Sequence, residues 1–397
     1  MNVPKLRFKE FSGEWEEKSL GKLGSFSKGG TLSKAELSDA GTECILYGEL
    51  YTNYGEVANF VKSKTNVDEK LLTYSIKYDV VLPSSGETPE DISTATCLLK
   101  DNIALGGDLI VYRSDKLDGR FTSYLLNHKC KMKIAKIAQG KSVVHINSNA
   151  LKKITVNYPN KDEQEKLVGF ISFIESKIEN IQLQIECLEK QKKSLMQKIF
   201  SQELRFKDDE GKDFPAWEEK KLGEVCDTFS GGTPSVSNKR FYNGDVPFIK
   251  SGEIHNDSTE GFISAEGLKN SSAKIVEEGD LLYALYGANS GDVAISKIKG
   301  AINQAILCIR TNELNKEYLC ELLGFSRKNL MNTYLQGGQG NLSAEIFKNL
   351  KFLFPKKKEQ KKIADFLIVY NEKIDNERKV LVRWQQIKKG LLQQMFV

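Results

Sequence analysis

Tyr158-Pro159-Asn160-Lys161-Asp162-Glu163-Gln164 opens a stretch that closes on Leu195-Met196-Gln197-Lys198-Ile199-Phe200, and the chain carries it twice. The second copy runs without a gap from Phe354-Pro355-Lys356-Lys357-Lys358-Glu359-Gln360 to Leu391-Leu392-Gln393-Gln394-Met395-Phe396, at a constant offset of 196. Phe170, Lys177 and Ile178 recur inside it as Phe366, Lys373 and Ile374. Each copy has a heptad rhythm. In the first, Leu167, Ile171, Ile174, Ile178, Ile181, Ile185, Leu188, Leu195 and Ile199 fall on alternating three- and four-residue steps, with Lys192 in one slot. In the second, the slots hold Ile363, Leu367, Tyr370, Ile374, Glu377, Leu381, Trp384, Lys388, Leu391 and Met395. An apolar seam sustained over more than four heptads predicts a coiled coil rather than a generic amphipathic helix. Pro159 and Pro355, followed by acidic or polar residues, mark the two helix starts. From Leu167 to Ile199 such a helix is about 50 Å long.

Lys192 and Lys388 occupy equivalent slots. Parallel pairing in register would press two ammonium groups together in an apolar seam, whereas antiparallel pairing sends them to opposite ends. An antiparallel coiled coil with one globular domain near each end is therefore expected, with a pseudo-two-fold relation between the halves. The alternative is that each helix packs only on its own domain.

Working outward, a second marker opens each half. Leu6-Arg7-Phe8-Lys9 leads to Trp15-Glu16-Glu17-Lys18, and Leu204-Arg205-Phe206-Lys207 leads to Trp217-Glu218-Glu219-Lys220. A period near 200 residues is too long for a solenoid repeat and reads as two whole domains in tandem. The expected fold class is α+β, with globular domains at 1–157 and 201–353 and spacer helices at 158–200 and 354–397. In the second domain, 280–286, 292–295 and 301–309 read as strands, and 315–336 as a helix. Arg113, Leu117, Phe121, Leu125, Gln139 and Gly140 have counterparts 197 residues on. Elsewhere the halves diverge, which suits either two different recognition surfaces or simple drift.

The 397 residues, 40% hydrophobic and 28% charged, suit a soluble protein of two ordinary domains. No apolar run reaches the length of a membrane span, and residues 1–11 lack the apolar core of a signal peptide. Seven scattered cysteines without a C-x-x-C pair read as reduced thiols, and a cytoplasmic location is expected. The net charge of +5 is unevenly placed: residues 354–397 carry +6 and residues 158–200 carry none, leaving −1 for the rest. No large basic face is advertised, so a nucleic-acid partner would have to be gripped largely by other subunits. Lys356-Lys357-Lys358 and Lys361-Lys362 read equally well as a solvated helix start.

Several chemistries are excluded. His128, His145 and His255 are not spaced as metal ligands with Cys or Asp. Neither a nucleophile elbow nor a dinucleotide-binding glycine motif is present. Ala135 to Ser142 ends in Gly140-Lys141-Ser142, a loosened phosphate-binding loop. It follows a helix-like stretch and lacks the first glycine, so nucleotide binding there is not expected.

The chain resembles, over essentially its full length, the specificity subunit of type I restriction–modification enzymes. The matching signatures are Trp217-Glu218-Glu219-Lys220-Lys221-Leu222-Gly223, Gly231-Gly232-Thr233-Pro234-Ser235, Phe241 to Ile249, Ile302-Asn303-Gln304, and Pro355 with Glu359-Gln360. The first half departs from them, with Thr31-Leu32-Ser33 for Thr-Pro-Ser and Gly106-Gly107 where Asn303-Gln304 stands. The resemblance implies two target recognition domains, each reading one half of a split, asymmetric sequence in double-stranded DNA, with the helices fixing their separation. It implies a non-catalytic chain that binds no cofactor itself. Two modification subunits would bring S-adenosylmethionine and methylate adenine, and two restriction subunits would bring ATP- and Mg-dependent translocation and cleavage.

Base reading needs loops with amide, hydroxyl, aromatic and basic groups. The candidates are Lys28, Thr31, Ser33, Lys34, Tyr51, Asn53, Ser84, Ser85 and Lys141 in the first half, and Thr233, Ser235, Asn238, Lys239, Arg240, Lys250, Asn289 and Gln339 in the second. Two other functions fit less of the sequence: an enzyme acting alone, and a coiled-coil adaptor that does not read DNA.

Overall fold

The computed structural model describes residues 2–140, 143–335 and 342–397. The chain divides into two compact units, Met1–Gln182 with Lys379–Val397, and Leu183–Arg378. Each unit therefore combines one globular part with the start of one long helix and the end of the other.

In the first unit the strand Glu16–Ser19 pairs antiparallel with Thr155–Tyr158, so the two ends of the globular part close on each other. A five-stranded sheet runs in the order Ser25–Lys28, Leu109–Arg113, Val80–Pro83, Thr96–Leu98, Val57–Ala58. A second sheet runs Ala104–Leu105, Thr42–Ile45, Ser63–Thr65, Leu37–Ser38. The run Leu109-Ile110-Val111-Tyr112 is buried throughout because both faces of its sheet are covered. Ile110 and Tyr112 join one core with Phe121, Tyr124 and Leu125, while Leu109 and Val111 join another with Ile45, Leu50 and Leu105.

The second unit repeats this plan. Glu218–Lys221 pairs antiparallel with Lys351–Phe354. One sheet runs Asp227–Ser230, Ile306–Arg310, Leu281–Ala284, Val293–Ile295, and the other Phe262–Ile263, Tyr242–Ile249, Gly300–Ile302, Lys274–Val276. Leu281, Tyr283, Leu307 and Ile309 face the core that includes Tyr318 and Leu323 of the helix Lys316–Leu335, and Leu282, Ala284, Ile306 and Cys308 face the other.

The strand expected over 301–309 is two strands. Gly300–Ile302 pairs with Phe248 and Ile249 in one sheet, whereas Ile306–Arg310 pairs with strands of the other. The break is an Asx turn: Asn303 Oδ1 accepts from the Ala305 N–H at 3.2 Å, and Asn303 O accepts from the Ile306 N–H at 3.2 Å. Continuous apolar character hid this crossing, because residues on both sides of the turn are buried.

The long helices span Lys161–Phe200 and Lys357–Met395. Within each unit they run antiparallel. In the first unit Leu167, Val168 and Ile171 share a core with Leu392, Met395 and Phe396, and further along Glu175 meets Lys388. In the second, Met196 and Ile199 share a core with Ile363 and Leu367, and further along Glu189 meets Arg378. The seam expected from the heptads is the covered face. Ile171, Ile174, Ile181, Ile185, Leu367 and Ile374 are buried, and Ile178, Leu188, Leu195, Tyr370, Leu381, Trp384 and Leu391 are half-buried. Each seam lysine sits in its own polar cluster: Lys192 with Glu321 at 2.7 Å and Asn371 at 2.6 Å, and Lys388 with Glu175 at 2.7 Å and Glu56 at 3.3 Å.

The duplicated marker residues are the joints between helix and globular part. Arg7 donates to both oxygens of buried Glu163, at 2.7 and 2.8 Å, and the Trp15 indole N–H donates to the same carboxylate at 3.2 Å. Arg205, Trp217 and Glu359 repeat the arrangement, at 3.1 and 2.7 Å for the guanidinium and 3.2 Å for the indole. Gln164 accepts from the Asp118 N–H and Gln360 from the Asn315 N–H, both at 2.8 Å. These groups engage one another, so their place in the sequence signature is architectural. No helix among the described residues is long and apolar enough to cross a membrane.

Candidate nucleic-acid interface

Strand register decides which loops meet. In the second unit Ser230 and Ala284 lie opposite Leu307 and Ile306, at the start of the strand Ile306–Arg310, and Ile249 lies beside Ile302 in parallel. The loops at 231–235, 250–253, 285–291 and 303–305 therefore leave one end of the paired sheets. In the first unit Lys28 and Pro83 lie opposite Ile110 and Leu109, and Ile45 lies beside Leu105 in parallel. The loops at 29–34, 46–53, 84–88 and 106–108 share an end in the same way. One antiparallel and one parallel sheet, joined where a strand crosses between them, thus present four loops together in each unit.

In the first unit, Thr31, Ser33, Lys34 and Asn53 are exposed on these loops, and Lys28 is exposed at the end of its strand. Ser33 caps the turn Lys34–Glu36, with its hydroxyl donating to Glu36 at 2.9 Å. Tyr51 is half-buried on the short helix Glu49–Thr52, and burial, together with Tyr47, Asp91 and Glu87 nearby, raises its pKa so that it stays a neutral phenol. Ser84 is half-buried and its N–H donates to Asp108 O at 2.7 Å. Ser85 is buried and hydrogen-bonded to the exposed His145 at 2.9 Å, so His145 is the more accessible member of that pair.

In the second unit, Thr233, Ser235, Lys239, Arg240 and Lys250 are exposed. Ser235 shares a hydrogen bond with Ser237 at 2.8 Å, and Asn238 caps the turn Lys239–Phe241 by accepting from the Arg240 N–H at 3.2 Å. The Lys250 N–H donates to Glu253 at 3.0 Å. Burial would raise the Glu253 carboxyl, but the N–H groups of Lys250 and Glu260 and the Thr259 hydroxyl hold it below the usual carboxylate range. Asn289 approaches the same turn, because a Cβ added at Gly252 would lie 3.3 Å from its Nδ2. Gly231 leaves the tightest approach: a Cβ there would come within 1.9 Å of Ile302 O, so the Gly-Gly turn lies directly on the strand leading into Asn303-Gln304. Lys141 and Gln339 lie outside the described residues, as does Ser142 of the loop that resembled a phosphate cradle.

Gln304 and Tyr286 were missing from the candidates. Gln304 accepts a hydrogen bond from the Thr233 hydroxyl, and the Tyr286 phenol faces the same amide. The available signal was an Asn-Gln pair interrupting an apolar run. The basic cluster at the second helix start is locally engaged: Lys356 pairs with Glu218, Lys361 with Asp365 at 2.9 Å, and Lys362 with Asp209 at 2.6 Å. Lys357 donates to Asn312 O at 2.9 Å. Among the described residues no group of His, Cys, Asp and Glu side chains could hold a metal ion.

Comparison with known proteins gives a consistent result. The family model for the type I restriction modification DNA specificity domain matches residues 12–190 and 216–383. The chain is 26% identical over 303 residues to a putative type I restriction enzyme MjaX specificity subunit of Methanocaldococcus jannaschii, covering 72% of this chain and 70% of that protein. It is 30% identical over 183 residues to the HindI specificity subunit of Haemophilus influenzae, covering 42% of this chain and 39% of that one. The crystal structure of a type I restriction–modification S subunit from M. genitalium shares the fold, with a TM-score of 0.65 at 18% identity over 100% of this chain and 99% of that one. With two family matches spanning both halves, the chain belongs to the type I restriction–modification DNA specificity family, as a non-catalytic subunit that supplies DNA sequence recognition.

Proposed function

We propose that residues 1–157 and 201–353 are two target recognition domains, each reading one half of a split, asymmetric double-stranded DNA sequence, and that the helices at 158–200 and 354–397 set the unread gap. The observation that carries this is the recurrence of one four-loop sheet end with different side chains in the two units. Lys28, Thr31, Ser33, Lys34, Tyr51, Asn53 and Ser84 belong to the first reading surface, with Lys141 beside them in sequence terms. Thr233, Ser235, Asn238, Lys239, Arg240, Lys250, Asn289 and Gln339 belong to the second. Short polar side chains would contact base edges, and the exposed lysines and Arg240 would contact phosphates.

The chain works in a cytoplasmic complex with two modification subunits and two restriction subunits. The modification subunits carry S-adenosylmethionine and methylate one adenine in each half-site, and the restriction subunits carry ATP and Mg. Few unpaired basic groups mark either surface, which suits a reader whose partners supply much of the phosphate contact.

Exchanging residues 1–157 for the first domain of another family member tests the division. Base-resolution mapping of adenine methylation should show one half-site changed and the other kept. A change in both halves would count against modular reading, and DNA binding that ignored sequence would favour an adaptor.

A further inference from the structure

We infer that Gln304 reads an adenine of the second half-site in the major groove, and that Thr233 is the residue that positions it. The inference rests on the target-reading function proposed above.

The backbone under Gln304 is held from both sheets. Asn303 accepts from the N–H groups of Ala305 and Ile306, each at 3.2 Å, and Ile302 O accepts from the Gly232 N–H at 3.1 Å. The Gly231-Gly232 turn can lie this close only without side chains, since a Cβ at Gly232 would come within 1.9 Å of Ser272 Oγ. That approach carries Thr233 to the Gln304 amide, where its hydroxyl donates to Oε1. Tyr242 anchors the next residue by donating its hydroxyl to Pro234 O at 2.6 Å. Exposed Gln304 is thus a long polar side chain on a rigid element, with its amide orientation fixed by a neighbour.

An amide oxygen has two lone pairs and an amide nitrogen two donors. With one lone pair occupied by Thr233, Gln304 still presents one acceptor beside a donor. Adenine offers the complementary pattern at its major-groove edge, an N7 acceptor beside the N6 amino donor, whereas guanine offers two acceptors. The first half supports a reading role over a gripping one. Gly106-Gly107 stands where Asn303-Gln304 stands in the second half. A group that only held the phosphate backbone would serve both half-sites alike, while a base reader need not recur.

The test uses the full chain assembled with its modification subunits. The probes are duplexes based on the methylated motif mapped in the source cell, with each of the four base pairs placed in turn at every position of the second half-site. Gln304→Ala should reduce discrimination at one A·T pair by between about 5- and 100-fold, with the first half-site unaffected. Thr233→Val, which keeps the shape and removes the hydroxyl, should weaken discrimination at the same pair by less. Gln304→Glu, which leaves only acceptors, should shift preference toward cytosine, whose N4 amino group is a donor. A uniform loss on every duplex in these variants would assign Gln304 to phosphate contact and overturn the inference, as would unchanged preference at every position. A wild-type complex without any sequence preference would instead refute target reading itself, and the inference with it.

Discussion

Glu359 has both carboxylate oxygens engaged by Arg205 and one of them also by the Trp217 indole, with no exposed surface of its own. Removing it strands a guanidinium beside an apolar core. Glu359→Ala should therefore cost about 3–5 kcal/mol in denaturant unfolding, and Glu163→Ala a similar amount in the first unit. A loss under 1 kcal/mol in both would mean that the clusters are incidental. Glu56 makes a pH-dependent case. Burial alone would raise its pKa, but the His128 ring at 2.8 Å and the Lys388 ammonium lower it from the ordinary 4.5 to about 2. A carboxyl depressed in the folded state contributes stability above its unfolded pKa and loses it as pH falls through the folded one. The contribution is about 3 kcal/mol near neutrality, fading between about pH 4.5 and pH 2. Acid unfolding of Glu56→Gln should run below that of the wild type at pH 6 and merge with it near pH 2. Glu163-Gln164 and Glu359-Gln360 were visible in the sequence as a duplicated pair. Their partners were not, because Arg7 and Arg205 lie more than 150 residues away and only the folded chain brings them near.

At the scale of elements, the heptad reading located the long helices and their covered face, because a period of three and four residues reflects the geometry of one helix alone. Antiparallel pairing was also legible, from the electrostatic cost of matching Lys192 with Lys388. What periodicity could not supply was the turn at Asn303, since buried strands on either side of it make one continuous apolar run. Nor could it show that Ser85 faces inward while His145 faces out, which depends on their pairing across 60 residues. The seam itself makes a graded prediction. Leu367 is fully buried in the core it shares with Ile199 and Tyr318, whereas Leu381 is half-buried. Leu367→Ala should destabilise by about 2–5 kcal/mol, and Leu381→Ala by clearly less. Equal losses measured by thermal unfolding would mean that the two positions are packed alike.

For the molecule as a whole, the duplication explains why neither half of the sequence matches a compact unit. Each unit needs the end of the other half's helix: Phe396 stacks on Phe121 at 5.3 Å, and Phe200 packs against Tyr318 at 6.0 Å. Whatever separates the two reading surfaces is then a property of paired helices, and one of them cannot be lengthened without breaking register with the other. Inserting seven residues into both helices keeps the seam in phase, because the pattern repeats every seven. The addition is about 10 Å per helix, comparable to about three base pairs of DNA. A complex carrying both insertions should methylate a target with the same two half-sites and a longer gap, with reduced affinity because the second half-site also turns with the DNA twist. An insertion in one helix alone should unfold the seam and abolish methylation at any gap. A double insertion that kept the original gap would show that the helices do not set it, and the separation would then have to be set by the partner subunits.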